Sequence, residues 1–150
     1  MEDNGKVYHQ GSIYHAILEL KKQQDLLGGC PNSCYSNLLS KLLKVDTIPL
    51  LLYTEDGLFY LSGSEDKNYR KCEHFCTPFF RIEHVDIKKN CCTISLLRPL
   101  SLSGVLVEEI CDVERLERTN ICVKIDLSCF CAVQCLDINL LKKVVIEPKW

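Results

Sequence analysis

Cysteine is the residue type with which this sequence could do the most chemistry. The chain has 150 residues and contains 11 cysteines, a density close to that of disulfide-rich scaffolds. An odd number cannot pair completely within one chain, so at least one sulfur is free, bound to metal or paired with another chain. The cysteines fall into short groups: Cys30/Cys34, Cys72/Cys76, Cys91/Cys92, Cys111, Cys122 and Cys129/Cys131/Cys135.

Metal binding and catalysis are the first two uses to test. Three cysteine pairs have the spacing C-x3-C, at positions 30/34, 72/76 and 131/135. Structural zinc sites usually show C-x2-C pairs, and this sequence has none, so the spacing assigns no metal ligand and no cofactor, and zinc stays an alternative. A nucleophilic cysteine needs a neighbouring base and a lowered pKa. The four candidate bases lie in no recognisable motif: His9, His15, His74 and His84. We therefore predict that the protein is not an enzyme.

The composition argues against several other classes of protein. The net charge is −2 and the pI is about 6.1, whereas a nucleic-acid-binding domain is typically basic. The stretch Met1–Gln10 is polar and predicts no secretory signal. The longest apolar run, Ile48–Tyr53, is far too short to cross a membrane. A chain of this length can bury a core without disulfides, so its cysteines are not needed merely for folding.

The N-terminal part predicts helix. Ser12 can cap a helix, and an apolar stripe follows along Ile13, Ile17 and Leu20 until Gly28-Gly29 ends it. We expect a flexible lead over residues 1–11 and an amphipathic helix over Ser12–Leu26, packed on its own domain or on a neighbouring subunit. Leucine pairs at 38/39 and 42/43 predict a second short helix.

The remainder predicts β-structure. A strand over Thr47–Tyr53 turns at Glu55–Gly57 and returns through Leu58–Leu61, and residues 62–71 are expected to form an exposed polar loop. Further strands are predicted over Phe79–Val85, Cys91–Leu97 (ended by Pro99), Val105–Ile110 and Ile121–Leu127. The predicted fold is a single, mostly-β domain over 12–150, an antiparallel β-sandwich or barrel-like domain with one or two short N-terminal helices.

Strand parity predicts which sulfurs are accessible, since alternate residues of a strand face opposite sides. The apolar alternation of Ile121–Leu127 places Cys122 outward with Lys124. If the chain stays extended, the inward set is Cys129, Cys131 and Cys135, although a turn after Leu127 would reset this parity. Adjacent Cys91 and Cys92 must face opposite ways. The candidates for disulfides between chains are Cys122, Cys91, Cys92, Cys30, Cys34 and Cys111; the alternative is that the cysteines are buried thiols.

One long segment carries a family likeness. The stretch from Glu117 to Leu136, ERTNICVKIDLSCFCAVQCL, resembles the C-terminal signature of the CotY/CotZ family of spore coat and exosporium (ExsY-like) proteins. Further matches occur in order over residues 13–141: Cys30-Pro-Asn-Ser-Cys34, Asp46–Pro49, Gly57–Phe59, Cys76 with Phe79–Glu83, and Cys91–Pro99.

The resemblance implies a structural protein of the spore surface, in the outer coat, the crust or the exosporium basal layer. Such proteins are made in the mother cell and self-assemble into hexagonally ordered sheets that disulfides harden. The implied partners are further copies of the chain, as a hexamer and sheet, and other spore coat or exosporium proteins. The alternative is a morphogenetic adaptor that anchors other coat proteins, with zinc binding as a variant of that role. Some relatives carry His-rich tails, but residues 140–150 contain no histidine, so metal binding through such a tail is not carried over.

Overall fold

A computed structural model describes residues 5–27, 47–65, 73–136 and 145–147 of the chain. Helix α1 (Gly5–Leu27) precedes the strands in the sequence. The strands are β1 (Leu50–Thr54), β2 (Gly57–Leu58), β3 (Leu61–Glu65), β4 (Glu73–Thr77), β5 (Phe80–Asp86), β6 (Cys91–Leu100), β7 (Arg115–Asp126), β8 (Ala132–Cys135) and β9 (Val145–Glu147). Two short 3₁₀-helices, Ile110–Asp112 and Leu127–Cys129, flank β7.

The main sheet is antiparallel except for its last pair. Its order is β2-β1-β5-β6-β7-β9, and β8 pairs with β1; only β7 and β9 run parallel among the described strands. Leu50 is opposite both Phe80 of β5 and Cys135 of β8, which places β5 and β8 on opposite sides of β1. The predicted class, a mostly antiparallel β-domain with an N-terminal helix, is confirmed.

Helix α1 covers part of the inner face, which we define as the face that carries Leu50, Leu52 and Ile82. Ile13 and Ile17 of the helix are buried in this core. The side-chain amide of Gln24 is buried with them; it donates to the carbonyl of Ile82 (2.7 Å) and accepts from the amide of Ile48 (3.1 Å). A buried amide with both ends bonded is satisfied, so the helix is fixed to the sheet in one register.

The hairpin of β3 and β4 covers the inner face of β6 and β7. Gly63 of β3 lies so close to that face that an added Cβ would be 2.7 Å from Ile121 Cδ1 and 3.0 Å from Leu96 Cδ2. On β4, the hydroxyl of Thr77 donates to the carbonyl of Leu97 (2.7 Å). The fold therefore has two β-layers, and a glycine lets them approach each other.

Arg98 of β6 is fully buried between these layers. Its Nη1 donates to Glu117 Oε1 of β7 (2.8 Å), and its Nε lies 3.5 Å from Glu73 Oε1 of β4. The guanidinium also lies 5.0 Å from the centre of the Phe75 ring, which is the geometry of a cation–π contact. One buried charge thus joins three strands.

Apolar side chains also occupy part of the opposite, outer face. Leu51 and Phe79, next in sequence to the inward Leu50 and Phe80, pack with Leu97, Leu116 and Leu136. A bulge lies between β6 and β7, where the register shifts between Ser95 and Leu97. There the Thr119 hydroxyl bonds the Leu96 carbonyl at 2.7 Å. Sheet residues near this cluster are thus buried on both sides.

Several predicted boundaries are wrong. Helix α1 begins at Gly5, not Ser12, so residues 5–11 of the expected lead are helical; this segment contains no proline that would stop a helix. Residues 62–65, expected in a loop, belong to β3. Strand β6 continues through Pro99. The Pro99 carbonyl accepts a hydrogen bond from the amide of Val107, so the backbone polar groups of Pro99 point away from β7. The missing N–H of this proline therefore removes no hydrogen bond to β7.

The predicted strand over Val105–Ile110 is also wrong. Within it only Leu106 forms a β-bridge, with Leu100, and a 3₁₀-helix begins at Ile110. The hairpin after β1 is confirmed, because Tyr53 pairs with Leu58 and Thr54 with Gly57. The predicted second helix, around Leu38 and Leu42, lies outside the described residues.

Candidate functional site

Cys91 and Cys92 open β6 and face opposite sides of the sheet. Cys92 lies between Val85 and Ile125 on the inner face and is 1% exposed. Burial, and to a lesser degree the neighbouring Cys91, raises the pKa of the Cys92 thiol to about 12. Cys91 is half-buried, and its thiol donates to the Lys89 carbonyl at 3.2 Å. The prediction that Cys92 can form a disulfide between chains is therefore wrong, because its sulfur is buried in the core.

Cys122 lies on the outer face of β7 and is exposed, on the side that strand parity predicts. Its cross-strand neighbour is Ser95, whose hydroxyl donates to Glu83 (2.6 Å); Arg81 also donates to Glu83 (2.7 Å). Burial alone would raise the pKa of Glu83, but hydrogen bonds from Ser95 and Arg81 and the charges of Arg81 and Arg118 lower it below its usual value. The exposed thiol of Cys122 thus lies next to a hydrogen-bonded network of polar side chains on the outer face of the sheet.

Cys129 lies in the 3₁₀-helix that follows β7 and is exposed. The carboxylate of Asp126 caps this helix by accepting from the hydroxyl (2.7 Å) and the amide (2.9 Å) of Ser128. These two bonds, the hydroxyl bond first, lower the pKa of Asp126. The prediction that Cys129 points inward is wrong because this capped turn ends the extended chain at Leu127.

Cys131 directly precedes β8 and Cys135 is its last residue; both are exposed, so neither is a buried cysteine of the core. The amide of Cys131 donates to the Tyr53 carbonyl at 2.8 Å. Cys135 pairs with the inward Leu50, so its side of the sheet was predicted correctly. It is nevertheless exposed because β8 is an edge: among the described strands it pairs with β1 alone.

Cys76 and Cys111 complete the exposed set. Cys111 lies in the 3₁₀-helix Ile110–Asp112, and its part in a disulfide between chains stays a prediction. Cys76 was not chosen, although β4 alternates buried Phe75 and Thr77 with exposed His74 and Cys76. That period of two was the signal that could have found it. Cys30 and Cys34, two further candidates, lie outside the described residues.

Most of the described cysteines lie on the surface of the protein. All eight described cysteines are free, and six of them are exposed. Among the described residues, no group of three or more potential ligands could hold a metal ion. The hydroxyl of Ser64 lies 2.7 Å from His74 Nδ1, so this ring nitrogen bonds a serine on the neighbouring strand.

Comparisons with known proteins now place the chain. The model of a family described as Spore coat protein Z matches residues 3–138. The chain belongs to the spore coat protein Z family. It is 34% identical over 120 residues to Spore coat protein Z of Bacillus subtilis (strain 168), a match that covers 76% of this chain and 80% of that protein. No solved structure matches. The resemblance found in the sequence is thereby confirmed.

Membership of the spore coat protein Z family bears directly on the cysteines. The matched residues 3–138 include all 11 of them, so every exposed thiol lies in the part of the chain that the family shares. The described part of the chain contains no helix with the length and apolar character of a membrane span.

Proposed function

We propose that this chain is a structural protein of the spore surface that self-assembles into a two-dimensional, hexagonally ordered sheet. Disulfides between neighbouring copies then harden the sheet. Family membership supports the spore coat role. The observation that carries the cross-linking step is the separation of six exposed free thiols from a core that contains a single described cysteine, Cys92.

The order of events follows from this separation. Apolar burial forms the described core without any disulfide, since all eight described cysteines are free. Reduced copies can therefore fold first and associate through reversible contacts, which lets misplaced copies detach. A disulfide needs Cα atoms roughly 4.4–6.8 Å apart, so only correctly packed neighbours oxidise readily. The cross-links thus fix an arrangement that packing has already selected.

Oxidation requires an electron acceptor from the surroundings. For each bridge two S–H bonds break and one S–S bond forms, and molecular oxygen takes up the two electrons and two protons as hydrogen peroxide. The resulting sheet is kinetically stable, since many linked copies must be released together before the layer comes apart. Individual contacts between copies can then remain weak.

Negative-stain electron microscopy of the purified protein, with and without reductant, tests this function. We expect ordered rings or sheets in both conditions, and loss of heat resistance in reductant. Sheets that disappear in reductant would make the disulfides themselves the assembly force. Discrete monomers in both conditions would contradict the lattice and favour an adaptor that recruits other coat proteins.

A further inference from the structure

The connection between β6 and β7 carries an exposed apolar surface. Leu102 is 60% exposed, Val105 62% and Ile110 37%. The backbone beneath them is ordered by hydrogen bonds, from Ser101 N to the Val105 carbonyl (2.8 Å) and from Gly104 N to the Ser101 carbonyl (2.9 Å). A defined turn therefore holds these side chains in solvent, where another molecule could bury them.

This same connection is strongly acidic. Residues 101–114 contain no lysine or arginine, and their acidic residues are all exposed: Glu108, Glu109, Asp112 and Glu114. The exposed Cys111 lies among them. We call residues 101–114 the acidic end. It combines apolar contact area, negative charge and a thiol on one short segment.

The opposite end of β6 has the complementary properties. In the β5–β6 turn, Ile87 is 73% exposed, and Lys88 and Lys89 are exposed beside it. The nearby carboxylate of Asp86 is turned back into the turn, where it accepts from the amides of Lys88 (3.0 Å) and Lys89 (3.2 Å). Two ammonium groups and an apolar side chain are therefore what this turn presents to solvent.

An exposed thiol also lies at this end. The amide of Leu127 donates to the carbonyl of Asn90 at 3.0 Å, which ties the 3₁₀-helix Leu127–Cys129 to the turn. Cys129 of that helix is exposed, whereas Cys91 is half-buried with its thiol bonded to Lys89. We call residues 87–91 together with Leu127–Cys129 the basic end.

We propose that copies of this chain associate head to tail, with the acidic end of one copy against the basic end of the next. Strand β6 has 10 residues and separates the two ends by about 30 Å, so one copy cannot satisfy itself. The opposite charges steer the encounter, and burial of the apolar side chains stabilises it. A contact between two different surfaces is heterologous and closes into a ring or extends as a chain. This inference rests on the proposed self-assembly and names its interface.

A disulfide can lock the contact. Cys111 of one copy and Cys129 of the next are the exposed sulfurs at the two ends. Their bridge forms as both S–H bonds break and the S–S bond is made. A small-molecule disulfide oxidant accepts the two electrons and two protons and is released as two thiols. Cys122 is exposed and lies within β7, away from the ends of the strand. It belongs to neither the acidic end nor the basic end and is not part of this bridge.

Charge reversal tests the interface in reductant. The variants K88E/K89E and E108K/E109K/D112K each give a copy whose two ends carry the same sign. We expect each to assemble roughly tenfold or more slowly than the unaltered protein at low salt, measured by light scattering, because charges at an interface mainly set the association rate. The control is E55K/D56K, which reverses two charges on the exposed β1–β2 turn and should assemble normally. Circular dichroism confirms that every variant is folded.

Mixing the two variants supplies the sharpest test. Every negative end then meets a positive end on the other variant, so an equimolar mixture, or the combined variant K88E/K89E/E108K/E109K/D112K, should recover assembly. Variants that assemble like the unaltered protein, or a mixture without recovery, would overturn the head-to-tail contact and leave self-assembly standing. If the unaltered protein does not assemble at all, the proposed function itself fails.

Oxidation of preformed assemblies with oxidised glutathione tests the bridge. We expect peptide mass spectrometry to find a Cys111–Cys129 peptide, and either C111S or C129S to abolish that link between chains. The variant C122S should retain it. Oxidised sheets without this peptide would overturn the assigned pair.

Discussion

The apolar core and the outer surface differ in the cysteines that they contain. Inside, Cys92 lies among apolar side chains and is 1% exposed. Outside, Cys111, Cys122 and Cys129 are exposed on turns and strands. The fold therefore buries one described cysteine and leaves others on the surface, which in the proposed function would separate the cysteines of folding from those of cross-linking. Changes in the interior should therefore alter stability in reductant, and changes at the surface should alter only what forms between copies.

The largest effect is expected at Arg98. Replacing it by alanine leaves the Glu117 carboxylate, half-buried and previously 2.8 Å from Nη1, without this partner, and empties the space beside Phe75. Breaking a buried charge pair from one side costs about 3–5 kcal/mol. Urea unfolding in reductant measures this loss in the free energy of unfolding.

A paired replacement is the control for Arg98. The double variant R98M/E117Q removes both charges and keeps the approximate volume, so it should recover much of the lost stability. If Arg98→Ala were as stable as the unaltered protein, the description of a buried charge that joins three strands would be wrong.

The next effect is expected at Gly63, where the two layers approach most closely. An alanine Cβ would lie 2.7 Å from Ile121 Cδ1. Inserting atoms into a packed core costs about 1–3 kcal/mol, so Gly63→Ala should lower the urea midpoint. Ser62→Ala, at the exposed neighbour on β3, should change the free energy of unfolding by less than about 0.5 kcal/mol. Equal effects at the two positions would contradict the close contact of the hairpin.

Gly63 also shows why part of the fold could not be predicted from the sequence. The hairpin of β3 and β4 was missed because its inward residue on β3 is a glycine between the serines at 62 and 64, so no apolar alternation is visible there. On β7, by contrast, Ile121, Val123 and Ile125 alternate with polar residues, and the outward side of Cys122 followed from parity. Apolar alternation in the sequence predicts a strand where side chains fill the interior. It gives no signal where a glycine, without a side chain, lets two β-layers come into contact.

The predicted inward orientation of Cys129, the first cysteine after β7, is wrong for a different reason. The alternation of inward and outward side chains along β7 does not continue beyond Leu127, because Asp126 and Ser128 form a capped turn there. An Asp with a Ser two residues later is itself a turn signal, so the sequence contains the feature that ends the extended chain here. The exposure of Cys135, by contrast, follows from the position of β8 at an edge of the sheet, which depends on long-range pairing with β1.

A smaller effect is expected from one substitution made at two neighbours. Cys92→Ser places a hydroxyl in an apolar site and should cost about 1–3 kcal/mol, whereas Cys91→Ser, half-buried on the other face, should cost less than about 0.5 kcal/mol. Thermal unfolding in reductant compares the two. Indistinguishable losses would contradict the opposite placement of these side chains.

The smallest expected effect is the pH dependence that Cys92 imparts. Its pKa is raised from 9.0 to about 12, so above pH 9 the unfolded chain releases this proton while the folded chain retains it. The unfolded state then binds fewer protons, and the free energy of unfolding falls as the pH rises. Between pH 9 and pH 10 the loss from this thiol should be about 1 kcal/mol. The variant Cys92→Ala keeps every other titrating group, so the difference between its pH profile and that of the unaltered protein, measured by urea unfolding in reductant, isolates the buried thiol. Parallel profiles would mean that the Cys92 thiol titrates as freely in the folded protein as in the unfolded chain, and the contrast between interior and surface sulfurs would not hold.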